Sequence, residues 1–149
     1  MIGILIHSKV YIRYFFRYFF CLPTIMYSRF YVKNIFTKFP KIELLTQQNQ
    51  IIGSTNYTIA NNGKAYINNI YVEPEYRKNG DGSRLLKYTE HILRDYHHTK
   101  KIALLVHEPF QDEVTSFFKK NDYVISCDNY KIYDDGVTLF ELIPMHKYL

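Results

Sequence analysis

The chain has 149 residues, 47% of them hydrophobic and 22% charged. That length suits one domain with one core, and that balance excludes a disordered chain. The formal net charge is +5, yet the basicity is local: residues 1–40 carry Lys9, Arg13, Arg17, Arg29, Lys33 and Lys38 and no acid, so the rest of the chain is close to neutral.

In "HSKVYIRYFFRYFF", Lys9, Arg13 and Arg17 recur every fourth residue, which aligns them on one helical face opposite aromatic side chains. Three readings are open: a first helix of the domain, an interfacial or targeting helix that touches a membrane, and an arm that contacts nucleic acid. The longest charge-free run within residues 1–40, Tyr18 to Ser28, is well short of the roughly 20 apolar residues of a membrane span. No small-residue cleavage site marks a signal peptide. Met26 is a second candidate start. Residues 1–40 are therefore set apart as a basic aromatic arm, or the first strand or helix of the domain, and residues 41–149 as the domain proper. Cys21 and Cys127 have neither metal-ligand spacing nor a disulfide-scaffold pattern, which points to a reducing compartment and a cytoplasmic protein.

From Lys41 the signals become regular. "KIELLTQ" and "IIGSTNYTIA" read as strands around a polar turn at Gln47 to Gln50, and Asn62-Gly63 marks a hairpin into "AYINNIYVEP". Alternation along that last strand predicts that Tyr66, Asn68, Ile70 and Val72 share one face.

In "EYRKNGDGSRLL" two turn dipeptides, Asn79-Gly80 and Asp81-Gly82, precede a change of period from 2 to 3.6. Leu85, Thr89, Ile92, Leu93 and Tyr96 fall along one helical side, with Arg84, Lys87, Glu90, His91, Arg94 and Asp95 along the other. The glycines therefore sit between a strand and a helix rather than in a hairpin. Such a junction gathers the unsatisfied N–H groups and the positive dipole end of the helix at one point, which suits a phosphate or a carboxylate. A dinucleotide fingerprint would need a third glycine near Leu85 and a P-loop a Gly-Lys-Ser/Thr ending, and neither is present. His97-His98 has no partner at ligand spacing and reads as a solvated helix end, so no metal is predicted.

"KIALLVH" suits a buried central strand, and "DEVTSFFKKN" a short helix with acids first and lysines last. "YVISCDNYKIY" and "VTLFELI" read as a closing hairpin across "DDG". Three strands, a helix, a strand, a helix and two strands make an α/β protein with a mixed sheet.

Arg77 to Gly82 has the form Gln/Arg-x-x-Gly-x-Gly/Ala and resembles the acetyl-CoA pyrophosphate loop of the GNAT acetyltransferase superfamily. Around it, "INNIYVEPEYRKNGDGSRLL" resembles that family's strand, Val-x-Pro-x-x-Arg, glycine loop and helix, and "EVTSFFKKNDY" its later cofactor-facing helix. The likeness covers about residues 41 to 143. It implies a GNAT-like mixed, largely antiparallel sheet, splayed at the cofactor site and with helices on both faces. It also implies acetyl-CoA as co-substrate, an amine acceptor that is a small molecule or a protein amine, and a monomer or homodimer.

By the same resemblance, the amides of Lys78, Asn79, Gly80, Asp81, Gly82 and Ser83 hold the pyrophosphate and Arg77 closes over the loop. The backbone of Ile70 and Val72 pairs with the pantetheine arm, as an added strand would, in a gap between "NNIYV" and "ALLVH". The Asp81 carboxylate repels a pyrophosphate unless it points to solvent.

The family's chemistry is direct attack of an amine on the acetyl thioester. An alkylamine has a pKa near 10.4, so a base must supply about three units of deprotonation, and the thioester oxygen needs a hydrogen-bond donor. Here the chain departs from the family pattern. The usual Tyr of the later helix is Phe118, with Tyr123 and Tyr130 as substitutes; the usual Asn before that helix is Gln111; the usual Gly-Phe after it is Asp122-Tyr123. The Glu that serves histone-type members corresponds to Tyr66. His107 and Glu108, at the end of the splayed strand, are the candidate bases, while Glu73 and Glu75 read as loop charges. A GNAT-like module that keeps the cofactor loop but has lost acid and base is the alternative.

Overall fold

A computed structural model describes residues 29–33, 40–107, 111–126, 131–134 and 139–149. Lys9, Arg13, Arg17, Lys38, both cysteines, Glu108 and Tyr130 lie outside the described residues, as do residues 135–138 after the first Asp of "DDG" and the segment before Arg29.

The described strands are β1 (Arg29–Lys33), β2 (Lys41–Leu45), β3 (Ile51–Ile59), β4 (Lys64–Val72), β5 (Lys101–His107), β6 (Val124–Ile125), β7 (Lys131–Asp134) and β8 (Leu139–Tyr148). Helix α1 spans Asp81–Asp95 and α2 Gln111–Lys120. The strands form one sheet in the order β1-β2-β3-β4-β5-β8-β6, with β7 paired to β8. β4 and β5 run parallel; the other pairs are antiparallel. This is the mixed, largely antiparallel sheet the sequence predicts.

Three local features bear on the expected elements. Within the stretch assigned to the arm, Arg29–Lys33 pairs along the whole of β2, and Phe30 stacks on Tyr88 of α1 with centroids 4.1 Å apart. Of the stretch "YVISCDNYKIY", Val124–Ile125 and Lys131–Asp134 both pair with β8, and residues 127–130 lie outside the described residues. Third, Asn56 and Tyr57 of β3 pair with Asn69 and Ile67, so Asn68 is an extra residue on β4. That bulge inverts the alternation. Directly paired residues share a face, so Ala65, Ile67, Ile70 and Val72 lie with Ile59, Tyr57, Thr55 and Gly53. Tyr66 lies on the opposite face, which corrects the expectation that it shares one with Ile70 and Val72.

Both helices cover the face that carries Thr55, Ile67 and Ile102. β6 is antiparallel to β8 and β8 to β5, so β6 is parallel to β5. Two right-handed crossovers, β4-α1-β5 and β5-α2-β6, advance in the same direction and so lay their helices on the same side. Contacts between the helices agree: Asn121 Nδ2 donates to Ser83 Oγ at 3.1 Å. Among the described residues no helix lies on the other face, which presents Tyr66, Tyr71 and Leu105.

The core lies under α1. Leu85, Leu86, Ile92 and Leu93 are fully buried against Ile42, Leu44, Ile52, Tyr57 and Ile102, each such side chain contributing about 1.5–3 kcal/mol. Two members of the periodic pattern are reassigned. Tyr96 is 37% exposed. Glu90, on the expected polar side, is buried because α2 and β8 cover that flank, and Lys147 Nζ reaches it at 2.9 Å.

Candidate active site

The site begins where β4 and β5 separate. They pair only at Lys64–Lys101, Ala65–Ile102 and Tyr66–Ala103, so beyond Tyr66 the two parallel strands diverge toward their carboxyl ends, Val72 and His107. In open α/β sheets this is where ligands bind. Tyr66 stands at the apex, 40% exposed on the open face.

Backbone direction along β4 follows from a few contacts. The Glu73 N–H donates to the Ile52 carbonyl at 2.9 Å, and the Asn69 carbonyl accepts from Thr55 Oγ1 at 2.8 Å. Odd-numbered residues here thus point to β3, and by alternation the N–H and C=O of Ile70 and Val72 point into the gap. Among the described residues no strand pairs with them on that side. The Val72 carbonyl instead accepts from Arg77 Nε at 2.8 Å, and the Arg77 guanidinium stands 5.6 Å from the Tyr71 ring centroid. Arg77 therefore lies across the strand end at the gap's mouth.

The loop after β4 tightens through a 3₁₀ turn at Pro74–Tyr76. Lys78 at φ 65° and Gly80 at φ 84° then reverse it into α1. Gly80 is the N-cap in the left-handed region, and no side chain caps the helix. The first N–H groups of α1, from Asp81 to Ser83, thus keep the donor capacity of every helix start. Packing is tight at Gly82: a Cβ there would lie 3.2 Å from Phe117 Cε2 of α2. Asp81 does not point to solvent. It is buried, and its carboxylate pairs with the Arg84 guanidinium at 2.9 Å, so its charge is balanced locally rather than by water.

These features fit the phosphates and pantetheine of acetyl-CoA: an uncapped helix start, a glycine reversal, and strand groups facing an unpaired gap. Lys78 and Asn79 are exposed on the loop. Gln111 opens α2, so the starts of both helices lie at the carboxyl ends of β4 and β5.

The structure places His107 and Tyr123 on opposite faces of the sheet. His107 ends β5, exposed on the open face. Across the gap, the Tyr71 hydroxyl donates to Glu73 Oε2 at 3.0 Å, and that carboxylate holds the phenol protonated above its ordinary range. Tyr123 lies on the other side of the sheet. It is 2% exposed, edge-on to Phe118 with centroids 5.3 Å apart, and beneath Lys147. Among the described residues no group is in hydrogen-bonding geometry with its hydroxyl, and burial, then the nearby Glu90 carboxylate, pushes its pKa upward.

His97 also departs from expectation. Rather than ending the helix in solvent, it is half-buried with Nε2 3.1 Å from the Tyr57 hydroxyl. Burial and then the charge of His98 lower its pKa, while burial pushes Tyr57 up to about 12. Among the described residues no group of three or more His, Cys, Asp or Glu is placed to hold a metal ion. Nor is any described helix long and apolar enough to cross a membrane.

Sequence reasoning missed the link from the loop to α2. Asn121 Nδ2 bridges Ser83 Oγ and the Phe117 carbonyl at 3.1 and 2.9 Å, and Lys147 Nζ joins Glu90 to the Asn121 carbonyl at 3.0 Å. No local signal in the chain announces a contact between residues 38 apart.

Comparison with known proteins bears on this arrangement. The family described as "Acetyltransferase (GNAT) family" matches residues 11–123. A candidate streptothricin acetyltransferase from Bacillus anthracis, solved with acetyl coenzyme A, is similar at 23% identity and TM-score 0.66, over 76% of this chain and 64% of that one. This chain thus spans less than two thirds of that protein's length. A candidate GNAT acetyltransferase from Desulfovibrio desulfuricans shares the fold at TM-score 0.68 and 11% identity, over 82% of this chain and 99% of that one. The ribosomal-protein-S18-alanine N-acetyltransferase of Escherichia coli does so at TM-score 0.61 and 15% identity, over 74% and 69%. No curated protein matches the sequence. With a family match over most of its length and that family's splayed sheet and loop, the chain belongs to the GNAT acetyltransferase family.

Proposed function

We propose that the protein transfers an acetyl group from acetyl-CoA to a primary amine. The observation that carries this is the outward turn of Ile70 and Val72 into a gap that opens beside the uncapped start of α1. Backbone groups there would bind an extended pantetheine as an added strand. The amides of Lys78 to Ser83 would take the phosphates, and the side chain of Arg77 would lie over them.

The acceptor approaches from the open face, which carries Tyr66, Tyr71 and His107. Its nitrogen lone pair attacks the thioester carbonyl carbon, the C–S bond breaks, and the proton lost by nitrogen balances the one gained by the departing thiolate. Strand N–H groups facing the gap are the donors available to the carbonyl oxygen. His107 is the base we favour among the described residues, with Glu108 beside it in sequence. Tyr123 has no part in this reading, since a buried phenol behind the sheet cannot meet the leaving sulfur. That burial also favours the second reading, a module that binds acyl-CoA without transfer.

Calorimetric titration of acetyl-CoA into the protein tests the reading. Binding is expected, weakened at least tenfold by Lys78→Glu and by Asn79→Glu, which place a carboxylate on the loop. Thiol release with an amine panel then separates transferase from module. His107→Gln should lower kcat by about a hundredfold and Tyr123→Phe should leave it unchanged. Absence of binding at millimolar acetyl-CoA sinks both readings.

A further inference from the structure

At the end of β4 and β5 away from the gap, Lys64, Lys100, Lys101, His98 and Tyr148, with the β3–β4 turn at Asn62, surround a hollow of about 480 Å³. Sheet register explains the convergence. Lys64 stands directly beside Lys101, and Lys101 beside Tyr148, so three adjacent strands present two ammonium groups and a phenol on one rung of the open face. Lys100 and His98 come from the segment entering β5, which the Leu149 N–H ties down by donating to the Lys100 carbonyl at 3.1 Å.

Among the described residues no carboxylate side chain lines the hollow. Asp95 is close enough to feel the charge of His98, but it is committed to Arg94 Nε at 2.9 Å and His91 Nδ1 at 2.8 Å. Like charges in direct register are unfavourable. Lys101 relieves part of this by lying 4.9 Å from the Tyr148 ring centroid and donating to its hydroxyl at 3.3 Å. The remaining repulsion is what a multivalent anion would cancel.

We propose that this hollow binds a small phosphate-bearing anion at a site distinct from the cofactor loop. The length of β4 separates the two by roughly 25 Å at about 3.3 Å per residue. The lysines converge within about two strand spacings, roughly 10 Å. That footprint fits one or two phosphates rather than a track along a polynucleotide, and the volume falls in the range of small-ligand sites.

Inorganic tripolyphosphate, titrated into the full chain and followed by residue-resolved amide shifts, reads this site separately from the loop. Shifts are expected at Gly63, Lys64, Lys100 and Lys101. The Lys64→Gln/Lys101→Gln variant should weaken binding there by about tenfold or more, while Lys87→Gln, exposed on α1, should not. The proposal is overturned if the shifts are confined to residues 79–83, are absent at millimolar ligand, or persist undiminished in the double variant. A single-stranded oligonucleotide that shifts the same residues at far lower concentration would also overturn it, in favour of nucleic acid.

Discussion

Gly82 faces the ring of Phe117 so closely that a Cβ on the glycine would lie 3.2 Å from Cε2. The first turn of α1 and the last turn of α2 are thus fitted to each other, and the space at the glycine loop is bounded by a residue 35 positions away.

Gly82→Ala should destabilise the protein by about 1 kcal/mol, because overpacking against a ring outweighs the better helix propensity of alanine. Phe117→Leu should reverse the sign of that effect. Gly80→Ala meets no atom within 4 Å but must hold φ at 84°, a cost of roughly 1–2 kcal/mol that Phe117→Leu does not relieve. Thermal melts of the three single and two paired variants check this.

The end of α2 carries a full Schellman cap. Tyr123 N–H donates to the Phe118 carbonyl and Asp122 N–H to the Lys119 carbonyl, both at 3.1 Å, and Tyr123 packs on Phe118. Asp122 holds the left-handed position at φ 69°, a conformation glycine adopts without a steric cost. Asp122→Gly should therefore stabilise by about 0.5–1 kcal/mol, raising Tm by roughly 1–4 °C. An unchanged or lower Tm in scanning calorimetry would remove the strain argument.

Glu90 and Lys147 form an ion pair with side chains 10% and 18% exposed. Removing one partner leaves a nearly buried charge. Lys147→Met should cost about 2–4 kcal/mol, somewhat below the figure for a fully buried pair. Pairing it with Glu90→Leu should restore most of the loss, and denaturant midpoints for the cycle measure the coupling.

His97 gives stability an acid limb. Burial lowers its folded pKa, so below the unfolded value near 6.5 the unfolded chain binds the proton more readily and the folded state loses ground. This contribution is complete at higher pH and declines as pH falls through about 6.5. His97→Gln should flatten the fall of Tm between about pH 7.5 and 5.5.

The chain by itself determined a good deal. The period changed from 2 to 3.6 after Gly82, which marked a strand-to-helix junction, and the glycine spacing marked its loop. The strands and helices from Lys41 to Lys120 follow from such signals because each depends on neighbours within a few residues. The first strand did not, since "RFYVK" has no turn signal of its own and takes its place by pairing with β2 and stacking Phe30 on Tyr88.

Faces and partners were decided only by the tertiary structure. One bulged residue, Asn68, reverses the side of everything before it on β4, and alternation counted along a sequence cannot register a residue that its neighbour strand skips. Burial of Tyr123 and Glu90 depended on where α2 came to rest, and the lysine rung on which strands became neighbours. Sequence fixes an element's period, but its exposure and charge environment come from segments far along the chain.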